Sequence, residues 1–225
     1  IFFRTMSKFD PSNWFHELKW NGGNLLLWGS VGFGLTVGAL AICYWKLRPA
    51  KRVPAVIFDF DQCLMKIHMW ATFRNTSLKQ IQFPEEYFGD PEFLRWLIPA
   101  LHDKGVKVAV ATFGRQEVVL EAMRTLFGQD QTFFGTHNVS TPKDFGVPEG
   151  SSMGSKNNQL QALSKKFSIP LKDILFFDDD SHNIEEAKKI GVQAQEAMPL
   201  TRTIWEDVGE PWTRKMLRQP LRFPE

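Results

Sequence analysis

The sequence predicts an α/β protein: a doubly wound parallel sheet preceded by a single transmembrane helix. Three observations carry this. Short apolar runs alternate with helical patterns after residue 52, acidic residues stand where those runs stop, and residues 21–45 hold no charged side chain. Buried strands separated by helices imply a parallel sheet covered on both faces.

The 225 residues divide into an N-terminal segment, 1–20, a membrane span, 21–45, a basic linker, 46–52, an α/β domain, 53–197, and a C-terminal tail, 198–225. The span NGGNLLLWGSVGFGLTVGALAICYW is 25 residues long, against the roughly 20 that a hydrocarbon core requires. Trp20 and Trp28 lie towards one end and Tyr44 and Trp45 at the other, as an interfacial aromatic belt would place them. Lys46, Arg48, Lys51 and Arg52 follow at once, whereas Arg4, Lys8 and Lys19 are diluted by Asp10 and Glu17. The positive-inside bias then puts the larger domain on the matrix or cytoplasmic side of a single-pass protein.

Ser30, Gly34 and Gly38 are spaced by four. Either they form a face against which a partner transmembrane helix packs, or they reflect how common Gly is in membrane helices. The partners expected are membrane lipid, that helix and subunits of a larger membrane complex. The chain starts at Ile1 rather than Met, the mark of a processed or truncated product. With the span and two cysteines in dissimilar settings, Cys43 and Cys63, this points to the mitochondrial inner membrane. Two cysteines so placed argue against a disulfide framework or a Cys-rich zinc site. A formal net charge of +2 gives no footprint for nucleic acid.

In the α/β domain, Val53 to Phe58 reads as a buried strand. Asp90 is an N-cap and Pro91 a first-turn residue for a helix that Gly105 terminates. Val106 to Ala111 is a second buried strand, and a helix over Gln116–Phe127 ends at Gly128. TFFG, 132–135, reads as a short strand before a loop rich in Pro, Gly and Ser. A helix opens near Lys156 and closes before Pro170. Asp173 to Phe177 is a third core strand, and Ser181 caps a helix that stops at Gly191.

Asp59 and Asp61 follow the first strand, Thr112 ends the second, and Asp178, Asp179 and Asp180 end the third. Ligands of open parallel sheets bind outside the carboxyl ends of the strands, so these residues share one rim. Carboxylates gathered there repel one another, and a hard divalent cation with oxygen ligands relieves that repulsion. Mg²⁺ needs only a few carboxylates besides water and a phosphate oxygen.

The ordered set resembles the haloacid dehalogenase (HAD) superfamily. VIFDFDQCL looks like its first motif, a strand ending in Asp-x-Asp, VKVAVATFG like its second, and ILFFDDDSHNIEEAKKIGV like its fourth. Lys156 stands where the third motif's lysine is expected, and the likeness runs from about Val53 to Gln195. Among HAD branches it is most similar to the small-capped, magnesium-dependent phosphatases. The resemblance implies an aspartyl-phosphate mechanism. Asp59 would be the nucleophile and Asp61 the general acid and base. Thr112 and Lys156 would bind phosphoryl oxygens. Asp59, the Asp61 carbonyl, Asp178 and Asp179 would hold Mg²⁺.

Lys143 competes with Lys156, which is preferred because a helix start suits an anion. Asp180 reads as a helix-start residue, His182 as a surface residue, and Asn183 either orders the loop or touches substrate. Cys63 stands where the family usually has Thr or Val, which would tie the loop after Asp61 less firmly. Gln62 occupies a position often held by Gly. The insertions between motifs are too short for a large cap, so the site is open, with the aromatic residues and Met of MKIHMWATFRN either lining its rim or packing within it.

Two functions follow as expectations. One is a membrane-anchored, Mg²⁺-dependent phosphatase. The other is a HAD-fold accessory subunit of a mitochondrial inner-membrane complex, of respiratory-chain or ATP synthase type, with little or no catalytic role.

Overall fold

A computed structural model of the chain describes residues 53–221 and 223. The expected transmembrane helix, basic linker and Ser30–Gly34–Gly38 face lie outside the described residues. Among those described, no helix is long and apolar enough to cross a membrane.

Five parallel strands form one sheet in the order β3-β2-β1-β4-β5. They are β1, Ala55–Phe58, β2, Lys107–Ala111, β3, Val139–Ser140, β4, Ile174–Asp178, and β5, Gln193–Glu196. Phe58 pairs with Val110 on one side and Phe177 on the other, so the three apolar runs end level with one another.

Because side chains alternate across a strand, each run feeds two cores. Val56, Phe58, Val108, Val110, Leu175 and Phe177 face one layer. Ala55, Ile57, Ala109, Ala111, Ile174 and Phe176 face the other. The first layer is closed by α2, Pro91–Asp103, and α3, Gln116–Phe127. The second is closed by α4, Asn157–Phe167, and α5, Ser181–Lys189. Covered faces are what make near-continuous apolar strands stable here. A short α1, Met69–Phe73, lies in the connection after β1.

Most predicted boundaries hold to within a residue or two. Asp90 Oδ1 accepts the Phe93 N–H at 3.2 Å, and Gly105 leaves α2 with a φ of +76°, a conformation that favours glycine. TFFG is not a strand. Phe134 is buried in the core while Gln131 takes its backbone hydrogen bonds, and pairing starts at Val139. Strand β5 was not foreseen, because QAQE lies at the sheet edge with little apolar alternation. Asp180, not Ser181, caps α5, through its Oδ1 and the His182 N–H at 2.9 Å.

Residues 198–221, read from the sequence as part of a tail, pack into the same core. After α6, Arg202–Ile204, a wide turn over Trp205–Gly209 leads into α7, Glu210–Leu217. Leu200, Trp205, Trp212 and Leu221 are buried in the first core layer. The Trp205 ring lies 6.2 Å from Phe177 and 6.5 Å from Phe93.

Candidate active site

The carboxyl ends of β1, β2 and β4 place Asp59, Thr112 and Asp178 on one rim. The Asp59 N–H donates to the Phe177 carbonyl at 2.7 Å and the Thr112 N–H to that of Ser140 at 3.0 Å, so each residue is still tied to the neighbouring strand. Lys156, immediately before α4, reaches across to both carboxylates. Its Nζ donates to Asp59 Oδ1 and, at 3.1 Å, to Asp178 Oδ2. The ammonium also lies 4.9 Å from the centroid of the Phe113 ring. Lys143 is exposed on the loop after Thr141, away from this bridge.

All three members of the bridge are buried, with Asp178 and Lys156 at 0% and 3% exposure. Burial pushes the Asp59 carboxyl well above the usual carboxylate range; Lys156 opposes the shift, while Asp178 and Asp61 reinforce it. Burial alone would lower the Lys156 ammonium, yet Asp59 and Asp178 outweigh it and hold the group above the ordinary lysine range. The pocket floor therefore holds more acidic groups than its one lysine balances.

Asp178 is fixed from behind. Its Oδ1 accepts the Asp180 N–H at 2.9 Å and Asn183 Nδ2 at 3.0 Å. Asn183 thus orders this carboxylate. Asp179, beside it, is half-buried and raised by burial and by the Asp178 charge. His182 is exposed, its Nε2 2.9 Å from the Gly154 carbonyl.

Asp61 stands on the wall rather than the floor. Its Oδ1 accepts the Trp70 N–H at 2.8 Å and faces His68 Nδ1 at 3.2 Å. Trp70 also meets the opposite loop, its ring filling the space a Gly150 side chain would need. Arg115 joins the loop after β2 to the same wall, donating from Nη1 to the Thr76 carbonyl at 2.8 Å. Phe60, Met69, Trp70, Phe73 and Val118 line a narrow cleft beside Asp61, so the aromatic residues of MKIHMWATFRN do border the site.

Three features escaped the sequence reading. Gln62 has a φ of +56°, left-handed geometry in which a side chain is strained, which is why glycine suits this position. The loop at Cys63 is held by the main chain: the Cys63 carbonyl accepts Leu200 N–H at 2.9 Å and that of Leu64 accepts Gly89 N–H at 2.8 Å. Burial pushes the Cys63 thiol up, so it packs as a small apolar residue. Gln159, wholly buried, donates from Nε2 to the Thr112 and Ser140 carbonyls at 2.7 and 2.8 Å, tying the helix behind Lys156 to the end of β2. A glutamine inside a helical pattern gave no sign of this.

Among the described residues, no group of three or more His, Cys, Asp or Glu side chains is spaced to hold a metal by itself. The donor chemistry fits a hard cation nonetheless. Asp59 and Asp178 bring carboxylate oxygens together at Lys156 Nζ, and octahedral Mg²⁺ takes one or two carboxylates and completes its shell with water and phosphate.

The sequence model of the acid phosphatase family matches residues 52–215. The chain belongs to the acid phosphatase family. The match covers the whole rim and the first part of α7, and the sheet and motif order of this family member are those the HAD resemblance implies. None of the curated proteins matches the sequence.

Among solved structures, this acid phosphatase family chain is similar to an uncharacterized protein from Corynebacterium glutamicum, at 15% identity and a TM-score of 0.44, covering 76% of this chain and 99% of that one. It is also similar to the N-terminal part of a Bacteroides fragilis protein containing a phosphatase domain complexed with Mg. There the identity is 16% and the TM-score 0.42, covering 65% of this chain and 36% of that one. A HAD family enzyme from Bacteroides thetaiotaomicron, in complex with magnesium and inorganic phosphate, is 12% identical with a TM-score of 0.41. That likeness covers 64% of this chain and 93% of that one.

Proposed function

We propose that this chain is a membrane-anchored, Mg²⁺-dependent phosphatase that works through an aspartyl-phosphate on Asp59. The single observation that carries the reading is the buried convergence of Asp59, Asp178 and Lys156 at the carboxyl edge of the sheet. A lysine and paired carboxylates sunk out of water cost stability, and such groups cluster where chemistry requires them.

Each residue has a task that its position allows. An Asp59 oxygen attacks phosphorus and the ester oxygen leaves, taking a proton from Asp61. In the second step Asp61 takes a proton from water, whose oxygen attacks phosphorus and releases Asp59 and phosphate. Lys156 and Thr112 hold the equatorial phosphoryl oxygens, where transition-state charge collects. Asp59, the Asp61 carbonyl and Asp178 would hold Mg²⁺, with Asp179 beside them. The ion, when bound, supplies positive charge that lets Asp59 and the phosphoryl group share one small site. That the HAD enzyme from Bacteroides thetaiotaomicron is described with magnesium and phosphate accords with this assignment.

Anchoring rests on the uncharged run 21–45, and placement in the mitochondrial inner membrane on the expectations set out with it. The accessory-subunit alternative draws on the same run and on Ser30, Gly34 and Gly38. The intact acidic floor favours the enzyme.

The test is hydrolysis of p-nitrophenyl phosphate by the full chain with and without Mg²⁺. The expected result is Mg²⁺-dependent turnover that Asp59→Asn abolishes. A folded chain with no turnover above that variant overturns the reading.

A further inference from the structure

We infer that His68 is a positioning residue that fixes which oxygen of Asp61 carries the catalytic proton, an assignment that rests on the phosphatase reading above. A carboxyl group turns about a broad, nearly two-fold torsion, so a side chain that must deliver a proton in one direction has to be held. Asp61 is held at Oδ1 only, by the Trp70 N–H at 2.8 Å and His68 Nδ1 at 3.2 Å.

The tautomer follows from competition at one atom. Nδ1 also lies 3.4 Å from the Ala71 N–H, and one ring nitrogen cannot donate to the first partner while accepting from the second. The carboxyl oxygen is nearer, at 3.2 against 3.4 Å, and Oδ1, which already takes the Trp70 N–H, can only accept. Nδ1 therefore bears the hydrogen, and the Ala71 N–H, on an exposed turn, is left to solvent.

With Oδ1 occupied by two donors, Oδ2 is the oxygen free to bear the proton. It points at the loop after β2. A side-chain carbon at Gly114 would stand 3.4 Å from Asp61 Oδ2 and 3.3 Å from Thr112 Oγ1, so the glycine keeps this approach open between the acid and the phosphoryl-binding threonine. In the first step the Oδ2 proton passes to the ester oxygen as its bond to phosphorus breaks. That electron pair stays with the departing oxygen, which leaves as the alcohol while Asp59 gains the phosphoryl group. His68 supplies no proton to substrate; it keeps Oδ2 facing inward.

A residue that acts through the general acid must matter most where the leaving group most needs protonation. The full chain and its His68→Ala and His68→Asn variants would be compared on phenyl phosphate and p-nitrophenyl phosphate, whose phenols differ in leaving ability. For His68→Ala, kcat/KM on phenyl phosphate is expected to fall about tenfold, a fraction of what a general acid contributes, with a far smaller loss on p-nitrophenyl phosphate. Asn offers an N–H near the place of Nδ1 and should restore most of the phenyl phosphate activity. In an Asp61→Asn background the alanine change should cost nothing further. Equal losses on both substrates, no loss on either, or no rescue by Asn overturns the role of His68 while leaving the phosphatase intact. No hydrolysis by the unaltered chain overturns both.

Discussion

The floor and the wall of the site are built on different terms. On the floor, Asp59, Asp178 and Lys156 sit at the ends of strands or against a helix start, buried and mutually charged. On the wall, Asp61 is held by one backbone N–H and one half-exposed histidine, in a stretch between β1 and α2 whose one α-helix, α1, has five residues. The floor is bound to the sheet and cannot change without disturbing it. The wall is a local turn that can vary. Charge storage belongs to the rigid part, and proton delivery to the part that faces the leaving group.

The largest stability effect should therefore come from the floor. Lys156→Met strands two buried carboxylates without their cation and is expected to cost about 3–5 kcal/mol in metal-free protein, read by urea denaturation. That loss should depend on pH in a defined direction. Asp59 is already raised by burial, and losing Lys156 removes the main influence that lowers it. A carboxyl with a raised folded pKa binds its proton in the native state over a range where the unfolded chain has released it. Its contribution is present below the unfolded value and is lost as pH rises from about 4 through the folded value. The variant should thus be least impaired in mild acid. A pH-independent cost would break the contrast drawn here.

Where floor and wall join, Gln62 carries left-handed backbone between Asp61 and Cys63. Gln62→Gly should stabilise the chain by about 0.5–1 kcal/mol, since relief of the left-handed strain exceeds the entropic cost of glycine. Chemical denaturation would show it. Smallest is the effect expected on the wall. The hydrogen bond to Asp61 raises the His68 imidazole, against the pull of partial burial. NMR titration of metal-free protein should place it above the ordinary histidine value, and Asp61→Asn should bring it back. The pair's support for the fold is present below that ordinary value and lost as pH rises through the shifted one. With the His68 side chain 50% exposed, solvent screening keeps this contribution slight.

The same contrast explains what could be read in advance. Asp59, Thr112, Asp178 and Lys156 were legible because each is tied to a periodic element, and strand ends in a parallel sheet share an address. His68, Arg115 and Gln159 were not. The roles of His68 and Arg115 depend on where an irregular connection crosses the rim, which no periodicity encodes, while the helical pattern around Gln159 does not say that it bonds the end of β2. The C-terminal residues failed for another reason. Trp205, Trp212 and Leu221 are spaced irregularly through a chain of polar residues and a wide turn, so their burial shows only once the apolar face of α2 is seen to need a cover. Gln62 was set aside because composition alone does not reveal a positive φ.

The most direct test of the account is chemical. An Asp61→Asn variant keeps the nucleophile yet lacks the group that activates water, and p-nitrophenol leaves without much help from an acid. Incubated with Mg²⁺ and p-nitrophenyl phosphate, then quenched in acid and digested, this variant should carry a phosphoryl group on Asp59, found by mass spectrometry of the peptide containing it. The account predicts that modification on Asp59 and its disappearance in an Asp59→Asn, Asp61→Asn double variant. A phosphoryl group on any other residue, or turnover by the unaltered chain with Asp59 never modified, would contradict it.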